Sequence, residues 1–362
     1  MKKFIALIMA AVMLFAACSC VRKSTLKEDG KKEEEDTTLG IETNADGTKK
    51  EVKSETVFNF LVMAQDSEAS LTDVMMLINY DTESGKATIS QLPRDTYINL
   101  ENYSYHKMNG LYNYCMGLSR DEGKEDTELD GCRKAADYLA KIMGIKIHYC
   151  AVMDLDGFGS IVDSIGGVYM YVPYSMKYSD PDQGLYINLP EGYNTLDGNE
   201  AEQFVRYRSG YLNADLGRGD AQKMFMTAFI ESFKKNISIT NIGEIAEAVF
   251  TNVKTDMKVK DIIKFMTKAI NVDLTNITMQ TMPGEACGAS YYVLNRECVT
   301  NIMNESYNIF KEEIEMIDPD MLLCREGDEK MKAIYEKSAE EFSYKSHNAQ
   351  DVSDEDIYVP LK

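Results

Sequence analysis

From residue 57 onward, short apolar runs alternate with stretches whose apolar residues recur at helical spacing. VFNFLVMAQD (57–66) is almost continuously apolar and reads as a strand that stops at Asp66. DVMMLINYDTESGKATISQLPRD (73–95) divides into two strands around the turn sequence DTESG. DGCRKAADYLAKIMG (130–144) has helical periodicity and a stop at Gly144. IKIHYCAVMDLDGFGSIVDSIGGVYMYV (145–172) reads as strand, helix, a turn at Gly166-Gly167, and a second strand. DLGRGDAQKMFMTAFIESFKK (215–235) predicts a helix with Ala221, Phe225, Ala228 and Phe229 on one core stripe. Strands alternating with helices predict an α/β fold: a three-layer α/β/α domain over about residues 55–310, with a central mixed sheet flanked by helices.

The two ends break this pattern. MKKFIALIMAAVMLFAACSC opens with lysines, continues apolar from Phe4 to Ala17, and reaches small residues and Cys18. This is the design of an export signal over residues 1–17, shorter than the ~20 apolar residues that span a bilayer. FAAC resembles a bacterial lipobox, which predicts lipidation at Cys18, with Cys20 as the alternative. Residues 18–54 then form the lipidated cysteine and a flexible polar linker, charged and poor in apolar residues from 21 to 52. Residues 311–362 read as a helical and then acidic C-terminal tail. Export permits disulfides. Cys287 and Cys298 enclose the segment CGASYYVLNREC and are the predicted pair; the alternative is a set of buried free thiols.

Charge changes the picture. A formal net charge of -20 excludes a general nucleic-acid binder, so any recognition of anions is local. AEQFVRYRSGYLNADLGRGDAQ (201–222) nevertheless gathers Arg206, Arg208 and Arg218. In extended chain Arg206 and Arg208 project to one side. Arg218 and Gln222 share a helix face near its start, where free N–H groups already favour an anion. Guanidinium forks suit phosphate oxygens. QLPRDTY places Arg94 and Asp95 at a strand's end, while Asp66 and Asp73 bracket one short loop between strands. Paired carboxylates beside arginines suit Mg²⁺ bridged to phosphate. His106, His148 and His347 are scattered, without the spacing of a zinc site. GFGSIVDSIGGV carries no nucleotide fingerprint, and its Asp163 reads as structural.

The stretches QDSEASLTDVMML, QLPRDTY, HKMNGLYNY, DLDGFGSIVDSIGGVYMYVP, LDGNEAEQFVRYR and DLGRGDAQ occur in that order. As a set they resemble the LytR-CpsA-Psr family of exported cell-envelope proteins, from about Phe58 to Lys234 and more weakly to about residue 310. The resemblance implies an enzyme, a phosphotransferase that moves a glycopolymer from a polyprenyl-pyrophosphate carrier to a peptidoglycan sugar hydroxyl. Its products are teichoic acids, capsule or other wall polymers, made at the outer face of the membrane by a lipid-anchored protein. It implies Asp66 and Asp73 as ligands of Mg²⁺, with Mn²⁺ the alternative. It implies Arg94, Arg206, Arg208, Arg218 and Gln222 as pyrophosphate-binding residues, with Lys107 beside them, and an apolar groove for the prenyl tail. Asp215 and Asp95 are candidates for proton acceptor or for arginine-orienting partner; the orienting role is favoured. Two positions depart from the family pattern. Leu71 and Ala221 stand where relatives often carry arginine. Ala221 continues the core stripe, whereas Leu71 removes a cation from the phosphate site. The alternatives are therefore a non-catalytic polyprenyl-pyrophosphate-lipid binder or wall-assembly protein, and a lipid pyrophosphatase.

Overall fold

The apolar run at residues 57–65 becomes a strand whose side chains go alternately to two different cores. In a computed structural model of the protein, the described residues are 41–43, 47, 49–65, 71–180, 185–207, 216–238, 240–269, 274–288, 290–342 and 347–348. A hairpin of β1 (Ile41–Thr43) and β2 (Lys49–Glu51) leads into β3 (Val57–Gln65), β4 (Thr72–Asp81) and β5 (Ala87–Leu92). Helices α1 (Leu111–Asp121) and α2 (Thr127–Met143) follow, then β6 (Tyr149–Met153), α3 (Leu155–Ser164) and β7 (Val168–Val172). Two further strands, β8 (Met176–Asp180) and β9 (Leu185–Leu189), pair with each other, and β10 (Gly192–Leu196) returns to β7. The chain continues through α4 (Gly198–Arg206), α5 (Leu216–Asn236), α6 (Ile242–Asn252), β11 (Lys254–Thr255), α7 (Val259–Ala269) and β12 (Ile277–Thr281). It closes with the hairpin β13 (Gly284–Cys287) and β14 (Tyr291–Leu294), then α8 (Arg296–Ile302), α9 (Glu329–Tyr335) and β15 (His347–Asn348).

The central sheet has seven strands in the order β11-β6-β3-β4-β5-β12-β15. It is mixed: β3–β6 and β5–β12 are parallel, while β3–β4 and β4–β5 are antiparallel. Phe60, Val62 and Ala64 of β3 face one core with Phe158, Phe204, Phe225, Ile245 and Phe265 from α3 to α7. Leu61 and Met63 face the other, with Tyr112, Leu139 and Val299 from α1, α2 and α8. Helices thus cover both faces, as the sequence pattern predicts, and among the described residues no helix is long and apolar enough to cross a membrane.

Local chemistry fixes the element ends. Asp126 caps α2 by accepting from Leu129 N–H, and Gly144 ends it in the left-handed region at φ 68°. Asp163 is structural: its Oδ1 accepts Gly198 N–H at 2.7 Å. Gly198 needs to be glycine, because a Cβ there would lie 2.3 Å from the Gly159 carbonyl oxygen where α3 and α4 touch.

Two expectations are corrected. Residues 311–342 are not an appendage, because Ile317, Leu323, Met331 and Tyr335 are buried in the second core. The Tyr335 hydroxyl also donates to the buried Asp318 Oδ2 at 2.7 Å. The domain boundary therefore moves past 310. Cys287 and Cys298 are both free thiols, not a disulfide. In the β13–β14 hairpin Cys287 pairs with Tyr291 while Gly284 pairs with Leu294, beside which α8 and Cys298 begin. Three residues of extended strand, about 10 Å, separate Cys287 from Gly284, so the hairpin carries Cys287 away from the end at which α8 and Cys298 begin.

Candidate active site

The strand directions bring chemistry to one edge of the sheet. The carboxyl ends of β3, β5, β6 and β12 lie there with the starts of β4 and β11. In open α/β sheets this is the edge that binds ligands. Across it, Ala64 pairs with Val74 but Gln65 pairs with Thr72, so Asp73 is the extra residue of a β-bulge. Bulges re-aim side chains and recur beside active sites. Asp66 follows Gln65 directly; it lies outside the described residues, as does the side chain of Asp73.

The end of β5 carries a cationic cluster. Arg94 Nε lies 3.4 Å from Asp95 Oδ2, and Lys107 Nζ donates to Asp95 Oδ1 at 2.9 Å. Asp95 thus holds two cations, which is the orienting role favoured for it. The backbone is laced to match. Asn109 N–H donates to Arg94 O, Met108 N–H to Thr96 O, and Thr72 Oγ1 to Asn109 O at 3.0 Å. These bonds tie the bulge to the arginine turn. Thr96 Oγ1 and Asn109 Oδ1 are buried there without a hydrogen-bond partner.

Two residues that sequence reasoning missed complete this flank. Arg325 lies 5.2 Å from the ring centres of both Tyr97 and Tyr291, and Lys107 lies 5.8 Å from Tyr291. A hydrogen bond with Tyr97 raises the pKa of Arg325, and with the help of Tyr291 it outweighs the opposing effect of burial. Nothing near position 325 in the sequence signals this, since the cluster forms only when the C-terminal segment folds back. Next to Tyr291, Tyr292 donates to the carbonyl oxygens of Met282 and Gly284, and burial pushes its phenol up to about 12.

Arg206 ends α4, and its Nη1 pairs with Glu202 Oε1 at 2.6 Å. Its side chain is only 14% exposed. Tyr207 follows in extended conformation and is buried, but Arg206 itself is the last residue of the helix, which corrects the reading that placed it in extended chain. Arg208 and Asp215 lie outside the described residues. Arg218 and Gln222 stand one turn apart near the start of α5; their side chains, like that of Ala221, lie outside the described residues. Cys18 and Cys20 also lie outside them, and Leu71 is half-buried just before β4.

A mixed sheet clad by helices on both faces, with Arg94 and Lys107 clustered around Asp95 at a strand end, defines the class: an α/β protein whose candidate site lies at the carboxyl edge of its sheet. A profile of the LytR_cpsA_psr family matches residues 18–308, and the chain belongs to that family. It is 28% identical over 274 residues to the cell wall biosynthesis protein LcpA of Corynebacterium glutamicum. That match covers 72% of this chain and 52% of LcpA, about half the relative's length. It is 27% identical over 261 residues to the polyisoprenyl-teichoic acid–peptidoglycan teichoic acid transferase TagU of Oceanobacillus iheyensis, covering 70% of this chain and 76% of that protein. The fold matches protein gbs0355 of Streptococcus agalactiae with a TM-score of 0.53 at 17% identity, over 74% of this chain and 94% of that one.

Proposed function

We propose that the protein is a phosphotransferase of the cell envelope. It moves a glycopolymer, with its linking phosphate, from a polyprenyl-pyrophosphate carrier to a peptidoglycan sugar hydroxyl. The observation that carries this reading is the Arg94–Asp95–Lys107 cluster at the strand-end edge, laced to the bulge at Asp73. The chain's similarity to LcpA, a cell wall biosynthesis protein, and to TagU, a polyisoprenyl-teichoic acid–peptidoglycan teichoic acid transferase, supports it.

In this reading Arg94, Lys107, Arg206, Arg208, Arg218 and Gln222 bind the two phosphates. Asp95 keeps Arg94 and Lys107 aimed, so that little reorganisation accompanies the change in charge. The acceptor hydroxyl oxygen bonds to the phosphorus that bears the polymer. The bond to the leaving oxygen breaks, polyprenyl phosphate departs, and the hydroxyl proton passes to a carboxylate or to water. Asp66 and Asp73 would hold Mg²⁺ or Mn²⁺. Thr96 Oγ1 and Asn109 Oδ1, buried on this flank without a hydrogen-bond partner, are oxygen donors of the kind a hard cation takes. Such an ion, when bound, neutralises phosphate oxygens. Cys18 anchors the mature protein at the outer face of the membrane.

Leu71 favours a second reading, in which lipid pyrophosphate is bound or hydrolysed without transfer. Purified protein is incubated with a ³²P-labelled polyprenyl-pyrophosphate saccharide, Mg²⁺ and peptidoglycan fragments. The proposal expects label in the fragments, abolished by excess chelator. With the label on the saccharide-linked phosphate, release only as soluble saccharide phosphate assigns hydrolysis, and label left on lipid assigns binding.

A further inference from the structure

We propose that a second, polar cleft on the same sheet edge is the acceptor subsite and holds an N-acetylated amino sugar of peptidoglycan. The inference rests on the transfer reading above. The cleft has a volume of about 270 Å³ and is lined by Gln65, Glu128, Asp154, Thr251, Asn252 and Lys254, among others.

Its position is the first argument. Gln65 ends β3 and immediately precedes Asp66. Asp154 follows β6, and Lys254 opens β11. In the order β11-β6-β3-β4-β5, these residues lie to one side of the β3–β4 loop, and Arg94 lies to the other. Displacement at phosphorus needs the attacking and leaving oxygens roughly in line. A donor gripped on the β5 side therefore takes its acceptor from the β6 side.

Charge is the second argument. The β5 flank sets Arg94, Lys107 and Arg325 against Asp95 and is net positive. The cleft sets Glu128 and Asp154 against Lys254 and is net negative, which repels pyrophosphate and admits a neutral sugar. Its polar groups are also preorganised. Lys254 Nζ lies 3.2 Å from Glu128 Oε2 and 3.9 Å from Asp126 Oδ2. Asp154 Oδ1 accepts Gly157 N–H at 2.9 Å, and Asn252 Nδ2 donates to Ala248 O at 2.7 Å. Carboxylate oxygens, an ammonium and a fixed amide match sugar hydroxyls and an acetamido group, and offer nothing to a prenyl chain.

The test uses the intact chain and disaccharide–peptide fragments released from peptidoglycan by a muramidase. Thr251→Tyr fills the exposed rim. Glu128→Gln removes a charge from a solvent-exposed pair, with little effect on folding. The KM for fragments rises about tenfold in Glu128→Gln, the size of one lost charged hydrogen bond, and by at least as much in Thr251→Tyr, whose ring occupies the rim, while the KM for the lipid donor does not move in either. Unchanged acceptor KM in both variants, with wild-type melting, overturns the inference. A second arm is independent of turnover: titrating fragments into labelled wild-type protein shifts the NMR signals of Glu128, Asn252 and Lys254. Shifts confined elsewhere, or none, also overturn it. A wild-type protein that binds fragments in the cleft but transfers nothing keeps the subsite and sinks the transferase reading.

Discussion

The two flanks of the sheet edge are built from the same structural parts and carry opposite charge. Each places ionisable side chains just beyond a strand's carboxyl end. On the β5 flank one carboxylate, Asp95, serves two cations, and Arg325 adds a third over Tyr97 and Tyr291. On the β6 flank Glu128 and Asp154 line the cleft with Lys254, and the ammonium of Lys254 pairs with Glu128. The bulge at Asp73 lies between them. In the proposed reading, the difference teaches that an acidic chain would handle anions by sorting charge within one edge, with no overall basic face needed.

The largest expected effect comes from breaking the cationic flank. Arg94→Ala lowers the rate of donor consumption about a hundredfold, as loss of a charge-stabilising donor does elsewhere. Asp95→Asn lowers it about tenfold, because both cations stay but lose their common anchor. Steady-state kinetics on the labelled lipid separates the two, and equal rates for Asp95→Asn and wild type remove the orienting role. A smaller effect of opposite sign comes from Leu71→Arg. It adds a cation between the flanks and raises the rate several-fold with little change in melting temperature. A flat rate with a lowered melting temperature makes Leu71 a packing residue.

The smallest effect lies at the opposite edge, where an aspartate does purely structural work. Burial raises the pKa of Asp81, but hydrogen bonds from Ser84, Glu83 N–H and Thr56 outweigh it and hold the carboxyl below its ordinary value. Because the folded value is depressed, this stabilisation is complete above the unfolded pKa of about 3.9. It is lost as pH falls through the lower folded value. Asp81→Asn costs at most about 1 kcal/mol, screened by solvent, and removes part of the acid sensitivity below pH ~4. Thermal melts from pH 2 to 7 check this, and identical curves for variant and wild type contradict it.

How much of this was legible depends on sequence distance. β3, β4, α3 and the turn at Gly166-Gly167 follow from local periodicity and glycine, so the sequence reading matches them closely. Arg94 and Asp95 were legible at a strand's end and Lys107 through the family resemblance; that Asp95 joins the two cations became visible only in the structure. Arg325 was not, because its position depends on contacts made across more than two hundred residues. The polar cleft was equally hidden, as its walls come from β3, α2, β6, α6 and β11. The expected bridge between Cys287 and Cys298 failed for the reverse reason: close spacing along the chain was read as closeness in space, and the hairpin separates the two.

The most direct test of a divided edge is the ratio of peptidoglycan-linked product to hydrolysed donor, measured in one reaction for wild type, Arg94→Ala and Thr251→Tyr. The account predicts that Arg94→Ala slows both products together and leaves the ratio near that of wild type. It predicts that Thr251→Tyr collapses the ratio by sparing hydrolysis and losing transfer. The same ratio in all three proteins, or a collapse in Arg94→Ala alone, would contradict it.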